Sequence, residues 1–97
     1  VVDTHFNQRG RFNRIAQAVT AAPGVVGIGL DEDTGILVRG GRHLEAIGAG
    51  SVTIVDGRGI GYNNIGHISS DTPLSVEGLR VHILARDHCF DLLERRT

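Results

Sequence analysis

The segment Val1–Arg14 holds one His, one Asp and three Arg within fourteen residues, the side chains of acid–base and anion chemistry. His5 can trade a proton near neutral pH, as a general base must, and Asp3 can fix its tautomer or satisfy a loop amide. Arg11 and Arg14 are three apart on a helix that starts here, so they share a face, with Arg9 one turn earlier. Cations at a helix N-terminus oppose its dipole, so their placement costs stability unless an anion is bound. The planar guanidinium suits bidentate contacts with a carboxylate or phosphate, so a small acidic ligand can be held without a basic surface. The contrasting reading is a loop His beside a solvated Asp, with Arg9 and Arg11 merely hydrated.

The elements that must position these groups follow from periodicity. Val1 and Val2 are β-branched and read as the end of a buried strand, with Asp3 and His5 just past it, at the edge where α/β sheets bind ligands. From Gly10 to about Ala22 the apolar residues Phe12, Ile15, Ala16, Ala18 and Val19 follow helical spacing, and Pro23-Gly24 stops the helix. Val25–Leu30 predicts a short buried strand that delivers Asp31-Glu32-Asp33 to a loop. Gly35–Arg39, His43–Gly48 and Ser51–Val55 read as consecutive strands joined by Gly40-Gly41 and the glycines around Ala49, and such short turns imply antiparallel pairing. Ile65–Pro73 is irregular, Leu79–Leu84 predicts a last strand, and Cys89–Arg96 a short helix.

The acidic triplet has three readings. It can be a solvated turn before Thr34-Gly35. A calcium loop is rejected, because the ligand order is broken and the distant bidentate Glu is missing. In the third, Glu32 orients and charges the His5 imidazole from an adjacent strand end, as the acid of a Ser-His-acid triad does. Gly57-x-Gly59-x-Gly61 reads as a flexible turn, since no periodic helix follows it. His82, Asp87, His88 and Cys89 lack the spacing of paired zinc knuckles; a strand His followed by a helix-capping Asp explains them, and no metal is expected. His43 and His67 read as surface residues.

Asp3-x-His5-Phe6-x-x-Arg9-Gly10-Arg11-x-x-Arg14 and Gly27-Ile28-Gly29-Leu30-Asp31-Glu32-Asp33-Thr34 together resemble the C-terminal half of the cyanophycinase family. Glu45–Asp56 resembles the family's next block, and Leu79–Leu84 with Phe90-Asp91-Leu92 its C-terminal strand and helix. The resemblance implies the C-terminal part of a three-layer α/β/α, glutamine-amidotransferase-like (flavodoxin-like) fold with added antiparallel strands. It implies a serine-type exopeptidase that releases β-aspartyl-arginine from cyanophycin, with His5 as general base and Glu32 as its orienter. Asp3, Thr4, Arg9, Arg11 and Arg14 fall on family positions associated with substrate recognition. Thr4 departs from the Gln usual there, so another β-aspartyl peptide is an alternative substrate. No cofactor is implied.

Ser51, Ser69, Ser70 and Ser75 all lack a G-x-S-x-G elbow. The nucleophile is therefore expected in an N-terminal part absent from residues 1–97, or in a second chain, and residues 1–97 alone should be inactive. Methionine is absent, including at position 1, so the chain reads as a segment of a larger catalytic domain, and Val1 cannot serve as an N-terminal nucleophile. A homodimer stands beside these as an alternative assembly. Two other functions compete: an aspartyl dipeptidase of the peptidase E type, and a non-catalytic anion-binding module that pairs with another chain.

A chain of 97 residues makes one domain, and 40% apolar content fits a soluble protein. The net charge of −1 argues against nucleic acid, no apolar run is long enough for a membrane, and the one cysteine fits a reducing, cytoplasmic setting.

Overall fold

The computed structural model describes residues 2–4, 11–67 and 73–97. In chain order these form β1 (Val2–Thr4), α1 (Arg11–Ala21), β2 (Val26–Leu30), β3 (Thr34–Arg39), β4 (His43–Gly48), β5 (Val52–Asp56), a 3-10 turn (Ile65–His67), β6 (Arg80–Leu84) and β7 (Cys89–Asp91). The architecture is mixed α/β, with one helix and two sheets among the described residues. None of the described helices is long and apolar enough to cross a membrane.

Helix α1 buries Ile15, Ala16, Val19 and Thr20 and exposes Asn13, Arg14 and Gln17, as its periodicity predicts. The buried Thr20 hydroxyl is satisfied by donating to the Ala16 carbonyl at 2.7 Å. The helix ends before Pro23, and the Val25 amide closes the turn onto the Ala22 carbonyl at 3.0 Å. Ile15 and Val19 pack on Val55 and Leu79. Gly27 permits that approach, because a Cβ there would run into the side chains of Ile15 and Val19.

The first sheet has the order β1-β2-β5-β6, with β1 parallel to β2 and the remaining pairs antiparallel. Its other face carries Ile28, Leu30, Val52, Ile54 and Leu84 against Leu44, Ala46 and Phe90 of the second sheet, β3-β4-β7. Strand β5 is thus covered on both faces, by the helix at Val55 and by the second sheet at Val52 and Ile54. That double burial explains its near-continuous apolar sequence.

Three local expectations are corrected. Cys89–Arg96 is not a helix: β7 pairs antiparallel with β4, setting Phe90 opposite Leu44 with both fully buried. A turn follows, in which the Asp91 carboxylate accepts from the amides of Leu93 (2.9 Å) and Glu94 (3.0 Å). Burial of Phe90 and this side-chain cap outweigh the helical propensity of Leu92–Arg96. Strands β4 and β5 do not pair despite the short link between them. The chain crosses from one sheet to the other at Gly48, where φ is +98°, so that both strands face one core. Lastly, Val2 is exposed and Asp3 lies within β1 rather than past it, because β1 is a three-residue edge strand. Val1 falls outside the described residues.

Two ion pairs staple the C-terminal turn. Asp56, fully buried at the end of β5, accepts from Arg95 Nη1 at 3.1 Å and from the Arg58 amide at 3.0 Å. Arg95 also donates through Nη2 to the Gly24 carbonyl at 2.8 Å and through Nε to the Leu92 carbonyl at 2.9 Å. Arg42 grips Asp91 from β4's side, Nε reaching Oδ1 at 3.0 Å and Oδ2 at 2.9 Å.

The Arg42 hydrogen bond, followed by the Glu94 amide, holds the Asp91 carboxyl well below the usual carboxylate range. A group with a lowered folded-state pKa adds stability above its unfolded value of about 3.9, and that stability is lost as pH falls toward the folded value. Acid titration of urea stability should therefore fall more steeply below about pH 4 in the native protein than in Asp91→Asn. Parallel curves for the two would sink this assignment.

Candidate active site

The parallel pairing of β1 with β2 sets Thr4 opposite Leu30, so both strands end at the same edge of the sheet. Helix α1 finishes at Ala21, a short turn before β2 begins, so it starts toward that same edge. Strand, helix and parallel strand form a βαβ unit whose C-terminal edge is the place where α/β proteins bind ligands.

Of the residues singled out in the sequence, Asp3 is half-buried in β1 opposite Gly29, and Thr4 is exposed at its end. Arg14 is exposed on α1. His5, Arg9 and the side chains of Arg11 and His67 lie outside the described residues. His43 is exposed, as expected. The register thus brings Asp3, Thr4 and the Asp31–Asp33 turn to one edge.

The acidic turn is built rather than merely solvated. The Ser51 amide donates to Asp31 Oδ2 at 3.2 Å, and the Asp31 amide donates back to the Ser51 carbonyl at 3.3 Å. The Thr34 hydroxyl donates to the Glu32 carbonyl at 3.0 Å and accepts from the Gly50 amide at 3.0 Å. Asp33 takes a left-handed φ of 55°, with its carbonyl accepting from the Ala49 amide at 2.9 Å. Asp31 is thereby committed to the scaffold, while Glu32 and Asp33 are exposed on a backbone fixed at both ends. Such a turn can hold one carboxylate at a set height above the sheet edge, which is what a catalytic orienter requires.

Residues 48–50 make that turn possible, although by spacing alone they are only linkers. A Cβ on Gly48 would strike the Asp33 carbonyl, and one on Gly50 would lie 2.8 Å from Asp31 Cβ. Their signal in the sequence is the Gly48-Ala49-Gly50 spacing, whose partners Asp33 and Asp31 only the fold reveals. Gly48→Ala is strained both by its φ and by the clash, so it is expected to cost about 1–3 kcal/mol and to displace Glu32. Urea unfolding and an activity assay on one sample check both effects, and a variant unchanged in each would refute them.

The residues weighed as metal ligands are dispersed. The ring of His82 in β6 lies against Phe90, centroids 5.0 Å apart, while Asp87 occupies a turn with φ of 72° and caps no helix. His88 and Cys89 are exposed, and among the described residues no three His, Cys, Asp or Glu side chains group to hold a metal. Gly57 is buried under Val19, whereas Gly59 and Gly61 of the same turn are exposed.

No family model matches the chain. It is 42% identical over 92 residues to the cyanophycinase of Synechococcus elongatus, covering 95% of this chain and 29% of that protein. It is 43% identical over 97 residues to the cyanophycinase of Geminocystis herdmanii, covering 100% of this chain and 35% of the relative. With the cyanophycinase of Trichormus variabilis the identity is 42% over 95 residues, 98% of this chain and 32% of the relative. The chain thus spans about a third of the length of the curated relatives it matches, rather than half. With 42–43% identity over at least 95% of its length, it belongs to the cyanophycinase family, as the counterpart of the C-terminal portion of those proteins.

Proposed function

We propose that this chain supplies the base, its orienting acid and the substrate-recognition arginines of a serine-type peptidase that degrades cyanophycin, a multi-arginyl-poly-aspartate, or another β-aspartyl peptide. The observation that supports it best is the Thr4–Leu30 register, which ends β1 and β2 at one edge within a stretch shared with cyanophycinases. His5 follows β1 directly in sequence, and Glu32 sits on the braced turn after β2.

In this reading His5 takes the proton of a serine hydroxyl supplied by the rest of the parent protein, then returns it to the leaving amine. Glu32 holds the imidazole in the tautomer that allows the transfer. Arg9, Arg11 and Arg14 pair with substrate carboxylates through their planar forks, and Asp3 faces a guanidinium. The remaining parent sequence completes a three-layer α/β/α fold and brings the oxyanion-hole amides.

The test is hydrolysis of purified cyanophycin by the parent protein, with products separated by mass. Release of β-aspartyl-arginine dipeptides by the parent, and none by residues 1–97 alone, is the expected result. A parent that leaves the polymer intact but cleaves dipeptides with N-terminal aspartate would replace this reading with that of a dipeptidase.

A further inference from the structure

A concavity lies beside the first turns of α1 and takes no part in the proposed chemistry. It encloses about 640 Å³ between the helix and a narrow ribbon in which the 61–64 and 75–77 segments run antiparallel. That is within the range of small-ligand sites, about 300–1,000 Å³. Its walls include Phe12, Asn13, Tyr62, Ser75, Glu77 and Leu79.

The ribbon is fixed by backbone bonds, the Gly61 amide donating to the Glu77 carbonyl at 3.0 Å and the Glu77 amide to the Tyr62 carbonyl at 2.9 Å. The Asn64 side chain clamps it further, accepting from the Ser75 amide at 2.8 Å and donating to the Pro73 carbonyl at 3.0 Å. Two glycines let the base of the loop close, since a Cβ on Gly78 would strike the Gly59 carbonyl. The 61–64 and 75–77 backbones are thereby held against each other.

What the walls offer is a chemical pattern. Tyr62 leaves 63% of its surface exposed and Phe12 40%, on a chain in which aromatic residues are only 4% of the total. Glu77 is exposed, and the structure gives its carboxylate no ion-pair partner among the described residues. Asn13 and Ser75 add neutral hydrogen-bonding groups, and among the described residues no cationic side chain lines the space. An exposed carboxylate and an exposed tyrosine ring along one groove suit a planar cation that can stack and donate at once. The guanidinium of arginine is such a group.

We propose that this groove is a subsite for an arginyl side chain of the substrate, with Glu77 as the counter-charge and Tyr62 as the stacking platform. The proposal rests on the peptidase reading for the identity of its substrate. It adds a contact distinct from the arginine cluster and Asp3. Because the groove flanks the helix that starts toward the candidate active edge, it would engage a residue of the polymer beyond the bond being cut. Glu77 and Tyr62 are positioning residues here and touch no reacting atom.

Binding separates this proposal from the peptidase reading. L-Argininamide is titrated into the isotope-labelled parent protein by NMR, alongside citrullinamide, its uncharged isostere. Argininamide should shift the amides of residues 61–62 and 76–77, and citrullinamide should bind markedly less tightly. Glu77→Gln should weaken argininamide about 3- to 10-fold and Tyr62→Ala about 2- to 5-fold, both folded as the native spectrum shows. On cyanophycin, Glu77→Gln should raise KM by a similar factor with kcat nearly unchanged. Equal binding of the two amides, or shifts confined to other parts of the molecule, would overturn the subsite whether or not the polymer is cleaved. Failure of the native parent to cleave cyanophycin, with argininamide still bound at Glu77, would overturn the peptidase reading alone.

Discussion

Glu32→Gln in the parent protein is expected to lower kcat on cyanophycin by about 100- to 10,000-fold with KM little changed, as when the acid of a triad loses its charge. His5→Ala should cost at least ~100-fold through loss of the base. The two effects should not add, because the acid acts only through the imidazole it orients. The braced turn makes the choice of acid testable. Asp31 is spent on the Ser51 amide, so Asp31→Asn should mainly lower stability. Asp33 sits at φ 55°, a conformation Asn accepts readily, so Asp33→Asn should stay near native activity. Should Asp33→Asn be the silent enzyme and Glu32→Gln the active one, the assignment of the orienting acid is wrong. If hydrolysis survives His5→Ala, the whole mechanism falls.

The largest loss of stability is expected from Arg95→Ala. Its partner Asp56 has 0% exposure, and the variant leaves that carboxylate buried without its closest cation. Removing one member of a buried pair typically costs about 3–5 kcal/mol, since the remaining charge keeps its desolvation penalty. Arg58 Nε, 3.5 Å from Asp56 Oδ2, offsets only part of this, because that oxygen receives no hydrogen bond. The same variant also frees the Gly24 and Leu92 carbonyls. Urea midpoints of Arg95→Ala, Asp56→Ala and the double variant measure the coupling. A double variant as unstable as the sum of the two singles would show that the pair contributes nothing of its own. A shift under about 0.5 kcal/mol in Arg95→Ala would show the clasp to be ornamental.

The helix over Arg11–Ala21 and the strand Val26–Leu30 were legible because their periodicity is local and Pro23-Gly24 separates them. The acidic triplet could be placed at a strand end for the same reason. The C-terminal stretch misled, since Leu92-Leu93-Glu94-Arg95-Arg96 has helical composition. Its fate was decided by Phe90 entering the core and by Asp91 capping the turn. Local propensity is worth tenths of a kcal/mol per residue, whereas burying one large aromatic side chain is worth about 1.5–3 kcal/mol.

By itself, then, the sequence determined the candidate residues, the strand-helix-strand order that carries them and the kinship with cyanophycinases, because types and spacings are local properties of the chain. Only the tertiary structure decided that Asp31 is bound into the scaffold while Glu32 and Asp33 stay exposed. The Asp31–Ser51 bond spans 20 positions, and the contacts beneath the turn are set by strand register. It likewise decided that Arg95 belongs to Asp56 and Gly24, 39 and 71 positions away, and that Tyr62 and Glu77 share a groove with α1. No pattern within a few residues encodes those pairings, because they form when two sheets and a helix close on a common core and the remaining polar groups must find partners there.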